Sequence, residues 1–445
     1  MKIDIPLIPA ALIRRLNEHG YEAYVVGGCV RDAMLGNEPH DWDICTSAKP
    51  MEVIECFPDK NVAKTGLQHG TVMVIDGGEG YEITTFRTDG DYSDHRHPDK
   101  VTFVSNLRED LARRDFTINA MAYHPESGLM DFFSGQEDLK AGMIRCVGDA
   151  KQRFEEDGLR ILRALRFAAR FGFCIEEKTA NAMHECKELL EHIAAERIFT
   201  ELKGFIVGKG VGPLLREYRD IMAQILPPLE KMFDFQQHNP HHCHDVWEHT
   251  VCAVENVEPE LVLRLTMLFH DCGKPDSFST DERGVGHFYH HGERSVELTR
   301  QMLSDLRCDN LLRDRILLQV EHHDLPLPQT PREGRRFLKR MGEEGAFWSL
   351  SVHRADYMGQ APGKRPEKLA RYETAKAVLT KLLEEEACFT LKNLAVKGRD
   401  LMEIGYTAGK ELGKALDRLL EAVMDGVCPN EKEALLRLAK EQLNS

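Results

Sequence analysis

The chain has 445 residues, 29% of them charged and 42% hydrophobic, with a formal net charge of −15. At roughly 150 residues per domain this length points to about three domains, enough to bury a core without disulfide or metal staples. The composition excludes disordered, collagenous and coiled-coil classes, no apolar run approaches the ~20 residues of a membrane span, and the N-terminal MKIDIPLIPAALIRRLNEHG reaches charged residues too soon for a secretory signal. The twelve Cys form no CxxC pair, which points to a reduced, cytoplasmic chain. No segment marks a membrane or a protein partner. Net acidity, if evenly spread, argues against non-specific nucleic-acid binding. Of the 20 His, 12 fall between His238 and His353, so both charge and histidine have to be followed along the chain.

Residues 1–145 mix β-like runs with Gly-rich turns: YEAYVVGG, TVMVI and YEITTFR read as strands between helical stretches. From 146 to 232 the pattern is helical, with Gly172 and Gly208 as helix stops. After Pro227–Pro228 a His-rich helical region runs to 360. GQAPGKRPEK (359–368) reads as a linker, and a last helical unit fills 361–445. The expected parts are therefore 1–145, 146–232, 233–360 and 361–445.

Gly27–Gly28 follows a strand and precedes the helix-like VRDAMLG, a geometry that turns backbone N–H groups towards an anion. Arg31, one turn in, is placed to reach a phosphate bidentately. Asp41-Trp42-Asp43-Ile44 reads as a strand start, with both carboxylates on one face and Trp42 and Ile44 on the other. Two such carboxylates repel unless a cation bridges them, and Mg²⁺ prefers oxygen ligands together with substrate phosphates. Glu82, on the strand YEITTFR, is the open choice for a third carboxylate.

On a wheel of about 100° per residue counted from Asp157, Arg153, Arg160, Arg163, Arg166 and Arg170 share one side. Ile161, Leu162, Leu165, Ala168 and Ala169 share the other. Residues 151–170 carry six Lys/Arg against three Asp/Glu, a local excess of positive charge in an acidic chain. A carboxylate such as Asp157 accepts the exocyclic amine of C or A, and an Arg such as Arg160 donates to the ring position beside it. Such a pair favours C and A over U.

In combination these motifs are specific. GGCVRDAMLG with HDWDICT, then RRDFTINAMAY (113–123), EEDGLRILRALRF (155–167) and ERIFTELKGFI (196–206), resemble in order the motifs of the class II tRNA nucleotidyltransferase/poly(A) polymerase family, a branch of the polymerase-β superfamily. The resemblance implies an α+β fold: a polymerase-β-like nucleotidyltransferase head with a mixed sheet, followed by an all-α neck, body and tail. It gives substrate and metal roles to Gly28, Arg31, Asp41, Asp43, Arg114, Asp157, Arg160, Arg163 and Arg166, with Mg²⁺ held by Asp41 and Asp43. It implies template-independent addition of CCA to the 3′ end of tRNA from CTP and ATP, with release of pyrophosphate by two-metal catalysis. RTDGDYSDHRHPDKVTF (87–103) resembles the flexible loop of full CCA-adding members, with Tyr92, Asp94, Arg96 and Pro98 at matching positions. A-adding enzymes and poly(A) polymerases are the alternative within the family.

HNPHHCHDVWEHT, LFHDCGKPD, FYHHGERSVEL, VEHHD and HRADYM form a second series. Imidazole with carboxylate suits a divalent transition metal. The series resembles the HD phosphohydrolase superfamily, with His249, His270, Asp271 and Asp356 at matching positions and His291 and His322 where some members hold a second metal. The resemblance implies a metal-dependent phosphohydrolase acting on a 2′,3′-cyclic or 2′-phosphate at the tRNA end. His238, His241, His242 and His244 take no role in this reading. The tail resembles that of firmicute-type members, and its Gly409–Gly413 turn could hold an RNA phosphate. A different class of function, an HD phosphohydrolase whose head only binds RNA, stays open.

Overall fold

The computed structural model describes residues 2–64, 66–89, 101–239, 242–385 and 388–443. Tyr92, Asp94, Arg96, Pro98 and His241 lie outside them. The chain divides into two compact units, residues 1–227 and 228–445.

In the first unit, helix α1 (Leu7–Glu18) is followed by β1 (Ala23–Val26), α2 (Gly28–Met34), β2 (Ile44–Thr46), β3 (Asn61–Ala63), β4 (Thr71–Asp76) and β5 (Glu79–Thr85). Strands Met121–His124 and Gly128–Asp131 complete a seven-stranded sheet of order β3-β4-β5-β2-β1, then 121–124 and 128–131. The expected strands therefore form, in a mixed sheet. β2 runs parallel to β5 with Ile44 opposite Ile83, and antiparallel to β1 with Val25 opposite Ile44. This register sets the residues just before β2 beside the start of β5 and the end of β1. The apolar face of the sheet closes on Phe86, Leu107, Leu111 and Val147.

The neck helices follow from 150 onward. The expected single helix over 155–167 is two: Ala150–Glu156 and Leu159–Phe171, broken at Asp157–Gly158. Gly172 ends the second in a left-handed conformation (φ +70), as expected of a helix stop. Gly208 lies just past the end of helix Ala195–Ile206, as expected, and also serves close packing: a Cβ there would stand 2.5 Å from the Cβ of Ala169 in helix Leu159–Phe171.

The second unit is almost wholly helical. Asp245 caps helix Val246–Asn256 through the Glu248 N–H, and Thr330 with Glu333 makes a capping box ahead of Pro331–Met341. The expected linker over 359–368 is a 3₁₀ turn, Pro362–Lys364, leading directly into helix Arg365–Glu384. One core joins Leu338 and Leu350 to Leu379, Leu401, Leu419 and Leu435, so packing continues across residue 360. Helix Lys410–Met424 starts at Gly409, as the tail sequence suggests. No helix among the described residues is long and apolar enough to cross a membrane.

Candidate functional site

Asp41 and Asp43 are exposed immediately before β2, while Trp42 and Ile44 between and after them are buried. Asp43 precedes Ile44 as Glu82 precedes Ile83, so the parallel pairing sets Asp43 next to Glu82. The three carboxylates share one face. Partial burial among protein atoms raises the Asp43 carboxyl, the charges of Glu82 and Asp41 raise it further, and Arg114 opposes them. An all-oxygen donor set under mutual repulsion fits a hard divalent cation such as Mg²⁺.

Gly27, between β1 and α2, has φ +79, and a Cβ there would lie 2.9 Å from Arg114 Nη1. The guanidinium of Arg114 thus lies over the glycine turn, tied only loosely to Asp110 at 3.4 Å. Its Nε is buried with no hydrogen-bond partner, so it retains donors for an anion. A Cβ on Gly28 would meet the Arg31 side chain at 3.6 Å. Arg31 does not reach outward as expected. It is buried, donates to Asn119 Oδ1 and Asp32 Oδ1, and lies 5.0 Å from the rings of both Phe167 and Phe171.

The arginine stripe is a ladder of ion pairs. Arg160 donates to Glu156 Oε2 at 2.8 Å and to the Arg153 and Arg113 carbonyls. Arg163 makes two bonds to Asp115 Oδ2, at 2.9 and 2.6 Å. Arg166 pairs with Glu201. Asp157 is not the partner of Arg160: it accepts from Leu159 N at 3.1 Å and from Arg197 Nη2 at 3.0 Å. The helix breaks at Asp157–Gly158, so the two segments do not share the single axis that a continuous wheel assumes.

In the second unit, helices deliver imidazoles to one buried point. His249 Nε2 and His270 Nε2 are 3.3 Å apart, and each lies 3.2 Å from Asp271 Oδ2. His291 Nε2 and His323 Nε2 are 3.1 Å apart, at 3.5 and 3.8 Å from Asp271 Oδ1. Asp356 Oδ1 lies 3.0 Å from His249 Nε2, and Asp324 Oδ2 lies 3.2 Å from His291 Nε2. Every one of these four rings spends Nδ1 on a backbone carbonyl: Gly359, Met267, Phe288 and Val320 respectively. A carbonyl fixes Nδ1 as the donor, which leaves the Nε2 lone pair free to point inward, the arrangement of a metal-ligating histidine. Asp271 Oδ2 has basic nitrogens around it but no well-aligned hydrogen bond. Burial alone would lower His249, yet Asp271 and Asp356 override it and raise the imidazole to about 9. The pocket favours positive charge at that point. His249, His270 and Asp271 form one group able to hold an ion, and Asp271, His291 and His323 a second, sharing Asp271.

Family comparisons cover most of the chain. A poly A polymerase head domain matches residues 23–145, an RNA and SrmB-binding site of polymerase A 172–232, an HD domain 241–371, and tRNA nucleotidyltransferase domain 2 358–439. The chain is 33% identical to the CCA-adding enzyme of Leuconostoc mesenteroides over 437 residues, 97% of this chain and 96% of that enzyme. It is 35% identical to that of Geobacillus stearothermophilus over 429 residues, 95% and 94% of the two chains. The crystal structure of the Bacillus stearothermophilus CCA-adding enzyme in complex with CTP superimposes with a TM-score of 0.73 at 31% identity, over 99% of this chain and 98% of that one. The chain belongs to the CCA-adding enzymes.

In this CCA-adding enzyme the expected Asp41, Asp43 and Arg114 gather at one end of the central strands, whereas Arg31 and Arg160 are buried and Arg163 and Arg166 are half-buried, all four paired with protein groups. His249, His270, Asp271, Asp356 and His291 converge as expected. His322 does not, and its neighbour His323 takes that place. Sequence reasoning also missed Asp324, Asp115 and His242, whose ring lies 5.5 Å from that of His249. Replacing Gly27 by Ala is expected to cost about 1–3 kcal/mol of stability through left-handed strain and to raise KM for CTP by displacing Arg114. Unchanged melting temperature together with unchanged KM would contradict this close approach.

Asp115 adds an acid limb. Its burial alone would raise the carboxyl, but Arg163 and Asn119 overcome this and hold it at about 2. Against an unfolded value of ~3.9, the folded value is depressed, so the stabilisation is complete above about pH 5 and is lost progressively as pH falls through about 2, roughly 2–3 kcal/mol in all. The stability gap between wild type and Asp115→Asn, measured by denaturant unfolding, should therefore narrow by about that amount between pH 5 and pH 2. A gap independent of pH would refute the pairing.

Proposed function

We propose that this chain builds the 3′-terminal CCA of tRNA from CTP and ATP at its head, with the 3′-hydroxyl of tRNA as acceptor and pyrophosphate as the other product. The observation that carries this reading is the face shared by Asp41, Asp43 and Glu82, with Arg114 over the Gly27 turn. Asp41 and Asp43 hold Mg²⁺, with Glu82 beside them. The ions, when bound, lower the cost of deprotonating the 3′-hydroxyl and of charge on the leaving pyrophosphate. Arg114 holds the triphosphate. The neck residues Asp157 and Arg160 read the base: Asp157 has lone pairs left after its two bonds, enough to accept an exocyclic amine. The ladder of Glu156, Asp115 and Glu201 keeps Arg160, Arg163 and Arg166 in place behind that face.

The division into head (1–145), neck (146–232), HD body (233–360) and tRNA-binding tail (361–445) is a division of labour within the two compact units. The reduced thiols support a cytoplasmic setting: all twelve Cys are free. The test is extension of tRNA ending before CCA with labelled CTP and ATP. The expected product is longer by C, C and A. Extension by A alone points to an A-adding enzyme or poly(A) polymerase, and no extension overturns the reading in favour of an HD phosphohydrolase with an RNA-binding head.

A second reading concerns the HD body. The four inward Nε2 atoms and shared Asp271 support a divalent transition-metal pair, and with it hydrolysis of phosphoesters such as a 2′,3′-cyclic or 2′-phosphate at the tRNA end. Lys274, 2.7 Å from Asp271 Oδ2, keeps that carboxylate charged and oriented.

A further inference from the structure

Beside the imidazole cluster lies a cavity of about 550 Å³ that neither reading uses. It is bounded by His242, by the end of helix Glu343–Gly359 and by the start of helix Arg365–Glu384. Two contacts join it to the cluster. The His242 ring stands edge to face against His249 at 5.5 Å, and Gln360 Nε2 donates to Asp356 Oδ2 at 2.6 Å. Lys364, Arg365 and Lys368 line the cavity, and no Asp or Glu does among the described residues. In a chain of net charge −15 this lining carries three cations, with the carboxylate of Asp356 reached only through Gln360.

Arg365 is a fixed charge, since its guanidinium donates to the Tyr357, Met358 and Gln360 carbonyls. Lys368 donates to Gln360 Oε1, which ties a second cation to the amide that holds Asp356. Lys364 is exposed at the rim. His242 Nδ1 is buried without a hydrogen-bond partner among the described residues. A preformed set of cations facing a concave, partly apolar space is built for a phosphate.

We propose that this cavity is the second anion subsite of the HD centre, and that the centre acts on phosphate monoesters carrying a further phosphate, of the nucleoside 3′,5′-bisphosphate type. The inference rests on the hydrolytic reading of the cluster. Hydrolysis forms one P–O bond from water and breaks the ribose ester P–O bond. A proton from water passes to the ribose oxygen, and inorganic phosphate leaves. The remaining 5′-phosphate sits against Lys364, Arg365 and Lys368, and the nucleoside spans Gln360 and Tyr357. A free bisphosphate and the last nucleotide of an RNA with a 3′-phosphate present the same chemistry.

The test compares wild type with Lys364→Glu and with Lys376→Glu, a charge reversal on the helix that follows Lys364 but outside the cavity lining. Phosphate release is followed with Mn²⁺-loaded protein on adenosine 3′,5′-bisphosphate, adenosine 3′-monophosphate and an RNA oligonucleotide ending in 3′-phosphate. The expected result is about a tenfold preference of wild type for the bisphosphate over the monophosphate, lost in Lys364→Glu and kept in Lys376→Glu. The faster of the bisphosphate and RNA arms names the source. Equal rates on mono- and bisphosphate in wild type, or equal losses in both Lys variants, overturn the subsite. If wild type releases phosphate from none of the three, the hydrolytic reading fails on its own. Calorimetric titration of adenosine 3′,5′-bisphosphate in EDTA then decides the cavity: weaker binding in Lys364→Glu alone upholds the anion subsite, and identical binding in all three proteins removes it.

Discussion

Asp43→Ala is expected to lower nucleotide incorporation into tRNA at least about a thousandfold, roughly 4 kcal/mol of transition-state stabilisation. The size follows from position. Asp43 is the middle carboxylate of the face, with Asp41 two residues before it and Glu82 across the β2–β5 pairing, so no neighbour replaces it without backbone movement. Asp41→Ala should fall in the same range. The loss belongs to kcat rather than to ground-state binding, because Arg114 and the Gly27 turn are untouched. CTP affinity, measured by titration, should change less than tenfold. Incorporation within tenfold of wild type in either variant would remove the carboxylates from the chemistry. A loss confined to CTP affinity would make them a structural pair instead.

Asp271→Ala is expected to empty both metal positions of the HD body at once, whereas His249→Ala and His323→Ala should each empty one. Among the described residues Asp271 alone belongs to both ligand groups, one oxygen facing His249 and His270 and the other facing His291 and His323. Loss of a ligand that serves both ions should weaken binding more than about a hundredfold, beyond the 10–100-fold typical of an outer partner. Metal content after dialysis against Mn²⁺, measured by mass spectrometry, reads this out: two, none and one ion per chain. Wild type binding none, or Asp271→Ala keeping both, would contradict the shared-carboxylate site. The readout needs no turnover, so it stands apart from what the centre hydrolyses.

The head was legible because its chemistry sits in short contiguous motifs. A strand, a glycine turn and a DxD place Gly27, Asp41 and Asp43 in one short stretch, residues 27–43, and alternation alone separates Asp43 from Trp42 and Ile44. What failed depended on distant chain or on helix phase. Arg31 reads as a phosphate ligand until Phe167 and Phe171, far along the sequence, enclose it. A helical wheel cannot register the break at Asp157–Gly158, since it assumes one axis. His322 and His323 are adjacent, and the helix ends at Glu321 with His322 as its C-cap, so counting by turns no longer tells which ring faces inward. The 359–368 segment looked like a linker because of its prolines. Pro362 and Pro366 instead stand in the first turns of helical segments, where a missing N–H costs nothing.

The pairing of every arginine along helix Leu159–Phe171 with a carboxylate has a thermodynamic consequence. On the proposed base readout, a docking base cannot simply add hydrogen bonds, because Arg160 and Asp157 already have partners. It must trade for them. Recognition by exchange yields little net affinity, but a base that cannot complete the trade strands a desolvated donor or acceptor, a penalty of about 1–3 kcal/mol per group. Selectivity then comes from the misfits being penalised rather than from the correct bases being held tightly. A polymerase without a template needs that balance, since it must release one pyrimidine nucleotide, accept another and then turn to a purine at the same surface.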